Sequence, residues 1–153
     1  MPSNVVQLPS GPHLRVLIAH QRSIVRHALR TLIEAEDVAV IEVADGESAL
    51  AELAFRRFDL LVLELDLPIN DGVTVMQLHR LLLAHERVRV DPPAVLFTLA
   101  PEVRSSATLT DHLLSLGVAG FIDDAPRREV ANLVAAVLQA REAQNGVDKP
   151  AVA

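Results

Sequence analysis

The stretch Asp59-Leu-Leu-Val-Leu-Glu-Leu-Asp-Leu-Pro-Ile-Asn-Asp-Gly72 joins a short apolar run to a turn. The run has the length of a strand, and its nearly continuous apolar composition predicts a strand over residues 59–65 that is buried on both faces. Pro68 and Asp71-Gly72 are turn residues, and the apolar positions from Val73 to Ala84 predict a helix after the turn. A doubly buried strand that leads through a turn into a helix indicates one βα unit of a parallel sheet.

The same strand-then-helix pattern recurs on both sides of this unit. Strands are predicted over residues 15–19, 38–43, 94–98 and 118–122, all of them short and aliphatic. Helices are predicted over about 22–35, around 49–54, over 107–116 with Gly117 as the stop, and from after Pro126 to about 143. The first of these helices is expected to use Ile24 in its apolar face, and residues 101–110 are expected to form a polar loop. Strict alternation of strand and helix predicts an α/β fold, doubly wound around a five-stranded parallel sheet.

The composition of the chain excludes several kinds of function. The 153 residues include no Cys, which excludes disulfides, thiol nucleophiles and Cys-ligated metals. The net charge of −6 argues against binding to nucleic acid, and no apolar run approaches the roughly 18 residues of a membrane span. The sequence does not start with a secretory signal, so we expect a cytoplasmic location. We expect a flexible leader over residues 1–12, one domain over 13–144 and a flexible tail over 145–153.

Most basic and imidazole side chains are interpreted as surface groups. The local basic clusters are assigned to the solvated ends and faces of helices; they are Arg22 with Arg26 and Arg30, Arg56 with Arg57, and Arg127 with Arg128. Five histidines show no close-set ligand spacing and are expected at the surface: His13, His27, His79, His85 and His112.

Polar residues follow several of the predicted strands at the point where each strand ends. In an open parallel sheet, ligands bind beyond the carboxyl ends of the strands. The residues placed there are His20 and Gln21, Glu64 and Asp66, Thr98, and Asp123 and Asp124. This edge of the sheet is therefore the candidate functional site.

From about Leu14 to Ala143 the chain resembles the receiver domain of two-component response regulators. The family has an Asp after the third strand, then three residues, Pro, two residues and Asp-Gly, and this chain keeps Pro68 and Asp71-Gly72 at that spacing. The first strand with His20-Gln21, Thr98 after the fourth strand, and Gly117-Val-Ala-Gly-Phe-Ile122 complete the likeness. The resemblance implies a flavodoxin-like (βα)5 fold with strand order 2-1-3-4-5.

The resemblance also implies a chemistry, which is phosphoryl transfer to the family's Asp. In that reaction an acidic pair after the first strand holds Mg²⁺, and a Lys and a Thr or Ser meet the charge of the phosphoryl oxygens. Here the acidic pair is replaced by His20 and Gln21, the acceptor position by Glu64, and the lysine position by Asp124. Neither an imidazole nor a neutral amide is the hard anionic oxygen ligand that Mg²⁺ prefers.

The switch positions of the family are partly kept. Thr98 and Phe121 match the switch pair, and Leu99 stands where a small residue is usual. Without the Lys, the carboxylates of Glu64, Asp66, Asp123 and Asp124 are expected to repel a phosphoryl group. The resemblance therefore implies a receiver that is degenerate at its phosphorylation site.

Several interpretations of these residues stay open. Glu64 could be a permanent mimic of the phosphorylated Asp, or a substitution at a site that no longer has to perform the chemistry. Thr98 could be retained from the switch pair, or could be a β-branched residue at the end of a strand. Asp66 could be a substitute acceptor, although its spacing to Pro68 is wrong for that role. His20 could accept a phosphoryl group or bind a transition metal, or it could be a simple hydrogen-bonded histidine.

The leading hypothesis is an atypical pseudo-receiver that is not phosphorylated and needs neither a metal nor another cofactor. It would act through protein–protein interaction with a histidine kinase, another regulator or an output partner. By analogy with the family, a homodimer could form through the face made by residues 107–116, the fifth strand and the last helix. The alternatives are a receiver switched at a non-standard acidic residue or by a ligand in the site, and an enzyme that uses the carboxylates and His20 for acid–base chemistry. No Gly-rich phosphate loop or nucleophile accompanies the latter, so we expect no enzymatic activity.

Overall fold

A computed structural model describes residues 14–87, 89–124 and 127–147. The helices and strands in chain order are β1 Leu14–Ala19, α1 Ser23–Ile33, β2 Val38–Val43, α2 Gly46–Phe55, β3 Leu60–Glu64, α3 Gly72–Ala84, β4 Ala94–Leu99, α4 Pro101–Arg104, α5 Ala107–Ser115, β5 Gly120–Asp123 and α6 Arg128–Val147. The five strands form one parallel sheet in the order β2-β1-β3-β4-β5. The predicted doubly wound α/β fold and its strand order are confirmed.

The apolar strands bury both of their faces, as their composition predicts. Successive residues of β1 point to opposite sides of the sheet, so Val16 and Ile18 pack with α1 and α6. Leu17 and Ala19 belong to the second cluster, which covers the other face together with residues of α2, α3 and α5. The sheet is therefore a rigid platform whose carboxyl edge carries the polar residues of the candidate site.

Side-chain caps and two glycines set where the helices begin and end. The carboxylates of Asp45 and Asp71 accept hydrogen bonds from the first turns of α2 and α3. At Gly46 the backbone passes so close to the turn after β3 that an added Cβ would lie 2.0 Å from the carbonyl oxygen of Asn70. Gly117 has φ of +84°, the left-handed conformation that stops α5 as predicted.

Four details of the sequence analysis differ from the structure. Residues 101–110 are not a loop, because Pro101 begins α4 and α5 starts at Ala107. Ile24 is 70% exposed, because the buried stripe of α1 runs one residue later along the chain. His79 is buried rather than at the surface. Helix α6 continues to Val147, past the predicted start of the tail at residue 145.

The predicted leader over residues 1–12 lies outside the described part of the chain. Within the described residues, no helix combines the length and the hydrophobicity needed to cross a membrane.

Candidate functional site

The carboxyl edge of the sheet brings together side chains from β1, β3, β4 and β5. His20 follows β1 and is fully buried, and Glu64 at the end of β3 is 8% exposed. The imidazole Nε2 of His20 lies 3.4 Å from Oδ1 of Asp124 and 3.6 Å from Oε2 of Glu64. Three of the positions singled out in the sequence therefore form one contact network.

Gln21 binds the Glu64 carboxylate at both of its oxygens. The backbone N–H of Gln21 donates to Oε1 at 2.9 Å, and its side-chain amide donates to Oε2 at 2.9 Å. Hydrogen bonds to an ionised acceptor are the stronger kind in proteins. The resemblance implies a metal ligand at position 21. The side chain of Gln21 instead donates a hydrogen bond to Glu64, which stands at the position of the family's phosphoacceptor.

The hydrogen bonds of His20 assign its tautomer. The backbone N–H of Arg22 donates to Nδ1 at 3.0 Å, so Nδ1 is an acceptor. In the neutral imidazole the proton then belongs to Nε2, the nitrogen that faces Asp124 and Glu64. In this tautomer Nε2 has no lone pair to offer to a metal ion, and it acts as a donor toward the two carboxylates.

Arg26 holds the segment that carries His20 and Gln21, and sequence reasoning missed it. Its guanidinium donates to the carbonyl oxygen of His20 at 2.7 Å and lies 3.5 Å from the carboxylate of Glu42 on β2. Arg30 makes a 2.6 Å ion pair with the same carboxylate. The side chain of Arg26 is 18% exposed and that of Arg30 is 39% exposed, so the assignment to a solvated helix face was wrong for Arg26. The sequence feature that could have predicted this contact is the spacing of Arg26 and Arg30, which lie four residues apart on one face of α1 and are followed by Glu42 on β2.

Thr98 lies at the wall of a small depression beside these groups. Its Oγ1 is buried, and no described group makes a hydrogen bond to it. The depression has a volume of about 30 Å³ and is also lined by Glu64, Asp66, Leu99 and Val103. A cavity needs about 10–15 Å³ of such space to hold one water molecule, so the depression has room for at least one.

Of the remaining predicted site residues, some line this depression and others do not. Asp66 is exposed and forms part of its lining, as does Asp124. Asp123 is also exposed but is not among the residues that line the depression. Phe121 is half-buried, and the guanidinium of Arg104 lies 5.0 Å from the centre of its ring. That distance is within the range of a cation–π contact, which joins α4 to β5.

The donor set at this edge does not suit Mg²⁺. Among the described residues, no group of three or more His, Asp or Glu side chains is placed to hold a metal ion. Mg²⁺ is bound by carboxylate and water oxygens, whereas Gln21 and His20 present N–H groups to Glu64 and Asp124. The residues present do not fit the metal of the family's reaction.

Comparison with known proteins agrees with the resemblance found in the sequence. The family model described as the response regulator receiver domain matches residues 16–138. A protein-glutamate methylesterase/protein-glutamine glutaminase of Caldanaerobacter subterraneus is 29% identical over 111 residues, which are 71% of this chain and 28% of that protein. The KDP operon transcriptional regulatory protein KdpE of Escherichia coli is 38% identical over 58 residues, which are 38% of this chain and 26% of that protein.

Two solved receiver domains are similar to this chain in structure. The REC domain of AraT, a response regulator from Geobacillus stearothermophilus, has a TM-score of 0.69 at 23% identity, with 89% of this chain and 98% of that chain covered. The Francisella response regulator 1452 receiver domain has a TM-score of 0.68 at 16% identity, with coverages of 86% and 98%. At these identities the likeness concerns the fold. The chain spans about a quarter of the length of the two curated relatives named above, and the activities in their names are stated of those proteins alone.

Proposed function

The chain belongs to the response regulator receiver domain family, and within that family we propose that it is a pseudo-receiver, which signals by binding another protein and is not switched by phosphorylation. The observation that carries the proposal is the pairing of Gln21 with Glu64. Two N–H groups of one residue bind both oxygens of the carboxylate at 2.9 Å. The group at the acceptor position is therefore engaged by a neutral partner of the same chain.

The charges around the depression also oppose a phosphoryl group. Glu64, Asp66 and Asp124 line it, and a phosphoryl group adds up to two further negative charges. The family reaction meets that charge with a metal ion and a Lys, and the position of the Lys is Asp124. Arg26 bonds to backbone carbonyl oxygens and pairs with Glu42, so its charge is already engaged. In this network Glu64 is a fixed acceptor for Gln21, which supports a permanently set conformation.

The proposal is tested by incubating the chain with Mg²⁺ and acetyl phosphate and measuring its intact mass. We expect no species heavier by one phosphoryl group, and no change in the backbone amide NMR signals of Gln21, Glu64 and Thr98 when beryllofluoride is added. A stable phosphorylated species would overturn the proposal.

A variant that restores the family's residues provides the positive control. It combines His20→Asp, Gln21→Asp, Glu64→Asp and Asp124→Lys, which returns the acidic pair, the acceptor and the Lys. We expect this variant to gain Mg²⁺-dependent phosphorylation, because the depression then offers oxygen ligands and a cation. If neither the variant nor the natural chain reacts, some other feature, such as Leu99, closes the site.

A relocated acceptor is the second candidate, and the exposure of Asp66 favours it. Asp66 and Thr98 both line the depression, and no described group makes a hydrogen bond to the buried Oγ1 of Thr98. Tandem mass spectrometry of any phosphorylated species would place the group on Asp66 or elsewhere. Loss of the modification in Asp66→Asn would replace the pseudo-receiver proposal with this one.

The proposed interaction partners are a histidine kinase, another regulator or a second copy of this chain. For a homodimer the face of α5, β5 and α6 is the candidate surface, and Leu114 of α5 is 48% exposed there. Light scattering of the natural chain and of Leu114→Glu tests this surface. A dimer that the substitution leaves intact would show that another surface is used.

A further inference from the structure

We propose that the chain has a second binding site, at the end of the sheet opposite to the depression, for a small organic anion that combines an apolar ring system with an acidic group. The site is a cavity of about 510 Å³ bounded by the end of α2, the end of α3 and the described residues Val90, Asp91 and Pro93 before β4. That volume lies within the range of about 300–1,000 Å³ that is typical of ligand pockets. The proposal goes beyond the pseudo-receiver function and does not depend on it.

The walls of this cavity supply an apolar surface. Phe58 lies in the connection from α2 to β3, and Leu53 belongs to the last turns of α2. Leu83 of α3 and Pro93 before β4 line it as well. Seven of the fifteen lining residues are apolar and eight are polar or charged, so the cavity offers an apolar surface together with many groups that can orient a ligand.

The charge around the cavity selects for an anion. An adjoining groove of about 410 Å³ shares Leu83, Glu86 and Val90 with the cavity. The two linings together contain seven arginines and three carboxylates, a surplus of four positive charges in a chain whose net charge is −6. The arginines are Arg15, Arg56, Arg57, Arg80, Arg87, Arg89 and Arg141, and the carboxylates are Asp59, Glu86 and Asp91. Such a local field attracts anions.

Two of the three carboxylates already face an arginine. Glu86 pairs with Arg57 at 3.1 Å, and Asp59 lies 4.0 Å from Arg141. The guanidinium of Arg15 bonds to the carbonyl oxygen of Arg57 at 3.2 Å, and no described carboxylate lies within ion-pair distance of it. Arg15 is therefore the cation in the cavity best placed to receive the acidic group of a ligand.

His79 adds a neutral polar group to the same wall. It is 6% exposed and lines the cavity. Burial lowers the pKa of His79, while the nearby charge of Glu86 acts in the opposite direction. A neutral imidazole offers one N–H donor and one acceptor, which can orient a ring that carries heteroatoms.

The test uses the full chain and two fluorescent probes that share one apolar body. 1-Anilinonaphthalene-8-sulfonate carries an acidic group, and N-phenyl-1-naphthylamine does not. We expect saturable binding of the sulfonate to one site per chain, with the thermal unfolding transition still cooperative, and binding of the neutral probe about tenfold weaker. A tenfold difference is the size expected for one charge-assisted contact.

Two pairs of variants locate the site. Arg15→Gln is expected to weaken the binding of the sulfonate about fivefold to tenfold, whereas Arg104→Gln, at the other end of the sheet, is expected to leave it unchanged. Leu83→Trp places an indole in the cavity and is expected to abolish binding, whereas Ile24→Trp at the exposed start of α1 is expected to preserve it. Far-ultraviolet circular dichroism is the control that tests whether each variant is folded.

The proposal is overturned by any of three results. These are no saturable binding of the sulfonate, equal affinity for the neutral probe, or the same affinity in Arg15→Gln as in the natural chain. The comparison with Arg15→Gln decides the matter even if Leu83→Trp does not fold. None of these outcomes bears on phosphorylation at the other end of the sheet, so the two proposals succeed or fail separately.

Discussion

Exchanging the amide of Gln21 for a carboxylate tests whether the pairing with Glu64 stabilises the fold. In Gln21→Glu the donor that lies 2.9 Å from Oε2 of Glu64 becomes a second negatively charged acceptor. A hydrogen bond to a charged group contributes about 1.5–3 kcal/mol. Two carboxylates 4 Å apart repel by about 4 kcal/mol at an effective dielectric constant of about 20. Because the side chain of Gln21 is exposed, the new carboxylate can turn into solvent, so most of that repulsion is avoided.

We therefore expect Gln21→Glu to lower the free energy of unfolding by about 2 kcal/mol, close to the value of the lost hydrogen bond. For a domain of this size the melting temperature should fall by about 4–8 °C. Urea unfolding followed by far-ultraviolet circular dichroism measures the change, since the chain has no Trp or Tyr for intrinsic fluorescence. The matched control is Gln77→Glu, the same change at an exposed position of α3, which should alter stability by less than about 0.5 kcal/mol.

The double variant Gln21→Glu with Glu64→Gln reverses the pair. The new amide at position 64 can still accept from the backbone N–H at position 21, and its NH₂ group can donate to the new carboxylate. We expect the double variant to recover all but about 0.5–1 kcal/mol of the stability lost in Gln21→Glu. A loss below about 0.5 kcal/mol in the single variant, or no recovery in the double variant, would refute the argument that this pairing stabilises the site.

Three further predictions concern Gly46, Thr98 and His79. Gly46→Ala would place Cβ 2.0 Å from the Asn70 carbonyl oxygen and should lower the free energy of unfolding in urea by at least about 2 kcal/mol. Gly117→Ala should lower it by about 1 kcal/mol, because only the left-handed φ is strained there. Equal losses in the two variants would contradict this prediction. Thr98→Val removes a buried hydroxyl that has no described partner, so stability should stay equal or rise by about 1 kcal/mol, and a clear loss would show that Oγ1 has a partner such as water. Burial lowers the pKa of His79 in the folded chain, so the unfolded chain takes up a proton first as the pH falls below about 6.5. The free energy of unfolding should therefore be at its full value above that pH and decrease below it. The drop in melting temperature between pH 7.5 and 5.5 should be smaller in His79→Leu, and an unchanged drop would assign it to other groups.

Most of the fold could be predicted from the sequence because it depends on local patterns. The aliphatic runs of β1, β3 and β4 identify strands without reference to their neighbours, and Gly117 marks the end of α5 through its own backbone preference. The prediction failed where the burial of a residue depends on how a helix is rotated. Ile24 and Val25 are both apolar neighbours at the start of α1, and packing against α6 and the sheet buries Val25.

The polar network at the carboxyl edge depends on distances that residue spacing does not encode. That Glu64 and Gln21 lie at one edge follows from the parallel sheet, but the two 2.9 Å contacts require the approach of β1 and β3. The role of Arg26 similarly depends on the packing of α1 against β2, which brings Glu42 within reach.

The sequence by itself determined the order of strands and helices, the burial of both faces of the sheet, and the set of residues at its carboxyl edge. It did so because hydrophobic periodicity, turn residues and the geometry of parallel sheets act over a few residues at a time. Only the tertiary structure decided that Gln21 donates to Glu64 and His20 to Asp124. It also decided that Arg15 and His79 line one cavity at the opposite edge of the sheet. Those contacts join residues that are distant in the chain, and hydrogen bonds form only within a few tenths of an ångström of their ideal length.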